Sequence, residues 1–158
     1  MLWDSCESAK EQVRSVLKYV DVLKISDEET NLLTDQKDPM DASKMLLENG
    51  IPLVVVTLGS EGALVRTKEG AFKVKGFKSN VVDTTGAGDS FWGGFLYQLI
   101  KSEKQPRDIT LEEGKKFVQF ANAVASLCVE KRGAIPAIPD IKDVEKRLEG
   151  SGNGGQEL

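Results

Sequence analysis

Seven consecutive residues, Asp83-Thr-Thr-Gly-Ala-Gly-Asp89, combine the types needed to handle a transferring anion. Two glycines around one small residue leave successive backbone N–H groups open to a ligand. A helix starting there adds the pull of its dipole. Donors so placed can hold the negative charge that spreads over a phosphoryl group in transit. Asp89 falls in the first turn of that helix, where its carboxylate can orient an attacking hydroxyl and accept its proton. A Gly-X-Gly ahead of a helix is equally the form of a tight strand-to-helix turn, so the bare pattern leaves both readings open. Two commoner phosphate motifs fail. A dinucleotide fingerprint needs a third glycine where Phe91 stands, and a P-loop needs a lysine where Asp89 follows Gly88.

The elements that must position this loop follow from periodicity. Asp4 and Glu7 read as a capping-box start, with Ala9, Val13, Val16, Leu17 and Val20 as one helical stripe behind it. Asp21–Ile25 reads as a short strand, Asp27–Leu33 as a helical turn or two, and Asp41–Asn49 as a helix closed by Gly50. Leu53–Thr57 is a continuous apolar run between Pro52 and Gly59, suited to a buried parallel strand. A turn at Leu58–Gly62 leads to a hairpin of Ala63–Arg66 and Phe72–Lys75. Ser90–Ile100 and Leu111–Lys131 read as helices, the second with an apolar stripe through Phe117, Phe120, Ala121, Val124, Leu127 and Cys128. Gly133 stops it, Pro136 and Pro139 keep the chain extended, and Ile141–Leu148 is a last amphipathic helix. Alternation of strands and helices predicts a three-layer α/β domain, with helices flanking a mostly parallel sheet and a hairpin inserted. Residues 1–149 are expected to form this nucleotide-binding part, and the Gly-rich residues 150–158 a disordered tail.

The 158 residues carry a formal net charge of -4, with 40% hydrophobic and 29% charged residues, the make-up of a globular domain. An acidic balance excludes a nucleic-acid or anionic-membrane surface, while still allowing backbone N–H groups to bind phosphate. The chain has no histidine, which excludes Ser-His-Asp hydrolysis and His-ligated metals. No apolar run approaches the roughly 20 residues of a membrane span. Two distant cysteines, Cys6 and Cys128, predict free thiols and a cytoplasmic protein.

The run Asp83-Thr-Thr-Gly-Ala-Gly-Asp-Ser-Phe-Trp-Gly-Gly94 resembles the C-terminal signature of the ribokinase-like (PfkB) carbohydrate kinases. Lys24-Ile-Ser-Asp-Glu-Glu-Thr-Asn-Leu-Leu-Thr34, Val56-Thr-Leu-Gly-Ser-Glu-Gly62, Ala121-Asn-Ala and Lys131-Arg-Gly-Ala-Ile-Pro136 follow in that family's order. The wording around Leu2-Trp3 and Lys24–Glu29 is most similar to fructokinases. The resemblance implies transfer from ATP to a sugar hydroxyl, with Asp89 as base and Gly86, Ala87 and Gly88 as anion hole. It implies that Thr57, Leu58, Gly59, Ser60, Glu61 and Gly62 line the nucleotide site and that Asn122 lies beside its adenine part. It further implies a K⁺ site at Asp83 and Thr85 with carbonyls near Cys128, Lys131 and Gly133, and a link of Glu29 to Mg²⁺ and phosphate. The chain departs from the pattern at Ser26, where the family has Asn, weakening nucleotide contact there, and at Asp35, where Gly is common.

Taken without the resemblance, several of these positions have plainer roles. Thr57-Leu-Gly59 is also a strand ending in a turn, and Asp27-Glu28-Glu29 also a solvated helix start. Gly93-Gly94 suits close helix packing, Trp3 and Trp92 suit a core or interface, and Cys128 sits on an apolar face. Family members are about twice as long, and the sugar-binding half of their pattern has no counterpart in this chain. Two expectations therefore stand: a sugar kinase acting through self-association or a complementing N-terminal half, or a nucleotide-binding module without turnover.

Overall fold

The computed structural model describes residues 6–152. Its strands form one open sheet in the order β1 (Val22–Ser26), β2 (Leu53–Thr57), β3 (Ala63–Thr67) and β4 (Gly70–Val74). β1 and β2 run parallel, with Ser26 beside Thr57, whereas β2–β3 and β3–β4 are antiparallel. The sheet is thus mixed. Among the described residues, the expected parallel character belongs to the β1–β2 pair, because the hairpin supplies half of the strands.

Among the described residues six α-helices surround it: α1 (Cys6–Val16), α2 (Asp27–Thr34), α3 (Pro39–Glu48), α4 (Ala87–Lys101), α5 (Leu111–Cys128) and α6 (Ile141–Gly152). Leu53 and Val55 face α4 and α5, packing with Phe91, Phe95 and Phe117. Val54 and Val56 face the other way, onto Ile25, Leu33 and Leu46. These four of the five β2 residues are fully buried. A strand covered on both faces needs no polar alternation, which is why its sequence is an unbroken apolar run. The result is three layers, with α1–α3 and α4–α5 on opposite faces.

Glycine lets α5 approach both neighbours. A Cβ on Gly94 of α4 would lie 3.0 Å from Val124 Cγ2, and one on Gly114 would lie 2.9 Å from Val65 Cγ2. Gly93 meets nothing within 4 Å, so only the second glycine of the pair serves packing. Trp92 stacks on Phe95 at 5.5 Å, and Phe95 meets Phe117 edge-on at 5.9 Å.

Several boundaries move. α3 starts at Pro39 rather than Asp41, because Asp38 caps it by accepting the N–H groups of Met40 and Asp41 at 2.8 and 3.1 Å. α4 starts at Ala87, three residues earlier than Ser90. α5 ends at Cys128 rather than Lys131, where the Val129 carbonyl turns to accept from Val82 and Asp83. α6 continues to Gly152, so residues 150–152 extend a helix instead of opening a tail. Leu2, Trp3, the Asp4 cap, the Cys6 side chain and residues 153–158 lie outside the described residues and side chains. Asp35 caps α2 in the left-handed region at φ 58°, the conformation glycine adopts most cheaply. Arg14 at 2.7 Å and Lys10 at 3.4 Å pair with its carboxylate and hold it below the usual range. Among the described residues, no helix is long and apolar enough to cross a membrane.

Candidate active site

α4 begins on a left-handed residue, Gly86 at φ 79°. A Cβ there would lie 2.7 Å from Ala134 Cβ and 3.0 Å from its Cα, so glycine is required by conformation and by space. The Ala87 N–H donates to Thr84 O at 3.2 Å, and Ser90 N–H to Gly86 O at 2.8 Å. Among the described residues, nothing accepts from the N–H groups of Gly88 and Asp89. Among the described residues the Gly86 N–H likewise has no acceptor, so within the expected Gly86–Gly88 run only the Ala87 N–H is used by the turn to close itself. Asp89 is exposed beside them in the first helical turn.

Asp83 ties this loop to the one after α5. Its Oδ1 accepts Thr85 N–H at 2.9 Å and its Oδ2 accepts Gly133 N–H at 3.0 Å, across 50 positions of sequence. These two backbone donors, Gly133 first, hold the Asp83 carboxyl down at about 2. Val82 and Asp83 N–H both donate to Val129 O, at 2.8 and 3.1 Å, and Lys131 N–H to Cys128 O at 3.2 Å. The structure thus brings Asp83, Thr85, Cys128, Lys131 and Gly133 into one junction, where Thr85 and Gly133 meet Asp83 through N–H groups. The Cys128 side chain is fully buried. Both Asp83 oxygens already accept an N–H and each keeps a second lone pair, and the Cys128 and Val129 carbonyls accept N–H groups of the same junction, so the oxygens through which a hard monovalent cation could be held are Asp83 Oδ1 and Oδ2.

A cavity of about 960 Å³ opens beside the loop, large enough for a nucleotide. Thr57, Gly59, Ser60 and Gly62 form one side, Ala87 and Gly88 another, and Asn122 a third. The turn at Leu58–Gly62 is closed by Leu58 N–H to Gly62 O at 2.8 Å. Gly62 sits at φ 103°, and a Cβ on it would meet Val74 O at 2.1 Å. Leu58 instead packs into the core, and Glu61 pairs with Lys73, which lowers its carboxyl. Asn122 is 6% exposed, and its amide donates to Val74 O at 3.3 Å and Lys75 O at 3.2 Å. It fixes the end of β4 from within the cavity wall.

The remaining wall, Phe77–Val81, escaped sequence reasoning because an irregular segment has no periodicity to read. Long-range bonds shape it instead: Asn80 N–H donates to Glu130 Oε1 at 3.3 Å, and Arg147 pairs with Glu130 at 2.8 Å. Gly86 and Asp89 line a second, smaller cavity of about 410 Å³, whose walls include Phe120, Ile135 and Ile138. That cavity offers few polar partners for a ligand rich in hydroxyls.

Ser26 and Glu29 stand apart from both cavities. Glu29 Oε2 accepts the Ser26 N–H at 2.8 Å, the return bond of a capping box at the start of α2. Among the described residues, no cluster of three His, Cys, Asp or Glu groups could hold a metal. Sequence reasoning also passed over Lys24 as a neighbour of the loop. Its Nζ lies 3.6 Å from where a Cβ on Gly88 would be.

Comparison with known proteins identifies the family and the fold. Residues 1–141 match the model of the pfkB family carbohydrate kinases. Probable fructokinase-6, chloroplastic, of Arabidopsis thaliana is 40% identical over 149 residues, covering 93% of this chain and 38% of that protein. A fructokinase structure from Vibrio cholerae, with fructose, ADP and calcium ion bound, superimposes with a TM-score of 0.83 at 33% identity. It covers 93% of this chain and 47% of that one. A fructokinase from Xylella fastidiosa with bound ATP gives 0.85 at 27% identity, over 96% and 49% of the two chains. The chain thus spans less than half the length of each.

Proposed function

This chain belongs to the pfkB family of carbohydrate kinases, and from that premise we propose that it carries the phosphoryl-transfer site of an ATP-dependent sugar kinase, acting on fructose. One observation carries the reading: a single helical turn presents glycine backbone to a nucleotide-sized cavity and an exposed carboxylate next to it. The N–H groups of Gly88 and Asp89 stabilise negative charge on the transferring group. Asp89 aligns the acceptor hydroxyl and takes its proton. Thr57–Gly62 and Asn122 shape the nucleotide walls, and Asp83 holds the donor loop against residues 128–134. Magnesium on the phosphates supplies further charge neutralisation when bound. The junction at Asp83 is assigned to K⁺, and residues 1–149 to one nucleotide-binding domain.

The test is transfer from MgATP to a panel of sugars, fructose first and K⁺ present, with wild type and Asp89→Asn. Turnover should fall by about 10²–10⁴-fold in the variant, with ATP affinity nearly unchanged. Equal turnover in the two proteins would remove Asp89 from its role.

A second reading is supported by the apolar walls of the smaller cavity. In it, the chain binds nucleotide and a complementing N-terminal half, or a second copy, provides the sugar contacts. Nucleotide binding without turnover by the chain alone, and turnover once a family N-terminal half is added, would select this reading.

A further inference from the structure

We propose that Arg147, on α6, is a positioning residue for the nucleotide: through Glu130 it holds the Phe77–Val81 wall of the large cavity in the shape that the nucleoside part meets. This deepens the nucleotide reading of that cavity and rests on it. All five wall residues line the cavity, yet they belong to no helix or strand that would fix them. The chain is anchored on either side, where Gly76 N–H donates to Glu61 O at 3.2 Å and Val82 N–H to Val129 O at 2.8 Å. Between those anchors, among the described residues, two hydrogen bonds leave the segment. Asn80 N–H donates to Glu130 Oε1 at 3.3 Å, and Lys78 O accepts from Arg147 Nη1 at 3.4 Å. A third bond, Ser79 Oγ to Phe77 O at 3.3 Å, stays inside it. Both outward bonds therefore end on one ion pair, Arg147 Nη2 with Glu130 Oε2 at 2.8 Å.

The pair is shielded, with side chains 22% and 26% exposed, so it is held more firmly than an ordinary surface pair. Arg147 Nη1 also donates to Ser126 Oγ at 3.2 Å, a buried hydroxyl that itself donates to Ala123 O at 2.7 Å. One planar guanidinium thus serves three acceptors at once, which an ammonium cannot do in the same geometry. Phe77 packs against the cluster of Phe120, Val124 and Val144, so α6 supports the wall by apolar contact as well. Asn122, Ser126 and Glu130 stand four residues apart and line the cavity from α5 and the turn beyond it. Arg147 lines neither cavity and acts through them. Phosphate falls to the side of the cavity formed by Ala87 and Gly88, which leaves the nucleoside to the rest, Phe77–Val81 included. An anchored wall meets its ligand already ordered. An unanchored wall has to be ordered by binding, and that cost lowers affinity.

The experiment is equilibrium binding of ATP, AMP and inorganic tripolyphosphate to the full chain, for wild type, Arg147→Met, Arg147→Lys and Glu130→Gln, with thermal unfolding as the check on folding. Arg147→Met should lower ATP and AMP affinity by the same factor, about tenfold, and leave tripolyphosphate unchanged. Arg147→Lys should recover part of the loss, since it keeps the charge facing Glu130 but not the fork. Glu130→Gln keeps an acceptor for Asn80 N–H and should fall between wild type and Arg147→Met. Undiminished ATP and AMP affinity in folded Arg147→Met would overturn the proposal, as would an equal loss for tripolyphosphate, which marks a general structural role. If Arg147→Met does not fold, Glu130→Gln decides in its place, and unchanged affinities there would overturn the proposal. Wild-type chain that binds neither ATP nor AMP would remove the nucleotide reading itself, and the role of Arg147 with it.

Discussion

The two glycine turns that frame the large cavity share a composition and use it in opposite ways. In Leu58–Gly62 the backbone closes on itself, Leu58 N–H to Gly62 O and Glu61 N–H to Leu58 O, so the turn is a wall. In Gly86–Asp89 the closing bond stops at Ala87 and leaves the next two N–H groups open, so the turn is a grip. Each has one glycine locked by its neighbours, Gly62 against Val74 O and Gly86 against Ala134. Each also has one facing space: Gly59 meets nothing within 4 Å, and Gly88 meets only the tip of Lys24. A glycine that builds the fold and a glycine that admits a ligand look identical in sequence. What stands within reach of the missing Cβ separates them.

The comparison is broken most severely at the wall. Gly62→Ala adds a Cβ 2.1 Å from a backbone oxygen at a left-handed residue, and should cost about 4 kcal/mol by combined strain and overpacking. Denaturant unfolding checks this; a loss below about 1 kcal/mol would mean the turn is not locked. Gly86→Ala meets Ala134 Cβ at 2.7 Å and its Cα at 3.0 Å, a less severe overlap than at Gly62, so the expected loss is smaller, about 2 kcal/mol, and weaker ATP binding accompanies it.

How much of this was legible depended on the distance over which each feature is decided. β2 could be bounded at Leu53 and Thr57 because burial on both faces leaves a local apolar run. The hairpin was legible from its turn residues, and α5 from its stripe. Its last turn was not, since Val129 O is claimed by Val82 and Asp83, far away in sequence. The loop Asp83–Asp89 could be found as a candidate anion site, but not which N–H groups stay open, because that depends on one bond to Thr84 O. Lys24 is seen to approach Gly88 only once α4 is laid beside β1. Asn122 lines the large cavity while its amide holds the end of β4, a double placement that no local pattern around residue 122 shows.

Asp83, which ties the grip to residues 131–134, gives the smallest effect, and one set by pH. Its carboxyl is held at about 2 against an ordinary 3.8, so its stabilisation is complete above 3.8 and is lost as pH falls toward 2. Glu113, also held at about 2 by Lys104 and the Thr110 N–H, loses its stabilisation over a wider window, from 4.5 down toward 2. Acid titrations of thermal stability for Asp83→Asn and Glu113→Gln should each show a shallower loss than wild type. An unchanged slope in Asp83→Asn would mean that its two hydrogen bonds do not hold in solution.

The most direct measurement of the central claim is ATP affinity and thermal stability in Gly88→Ala. The added methyl makes only ordinary contact with Lys24 and sits within a helix, so the protein should fold with its melting temperature unchanged or slightly raised. It would nevertheless occupy the space beside the open N–H groups, and ATP affinity should fall about tenfold while AMP affinity holds. ATP binding as tight as wild type in that folded variant would contradict the account, and the start of α4 would then be a turn and nothing more.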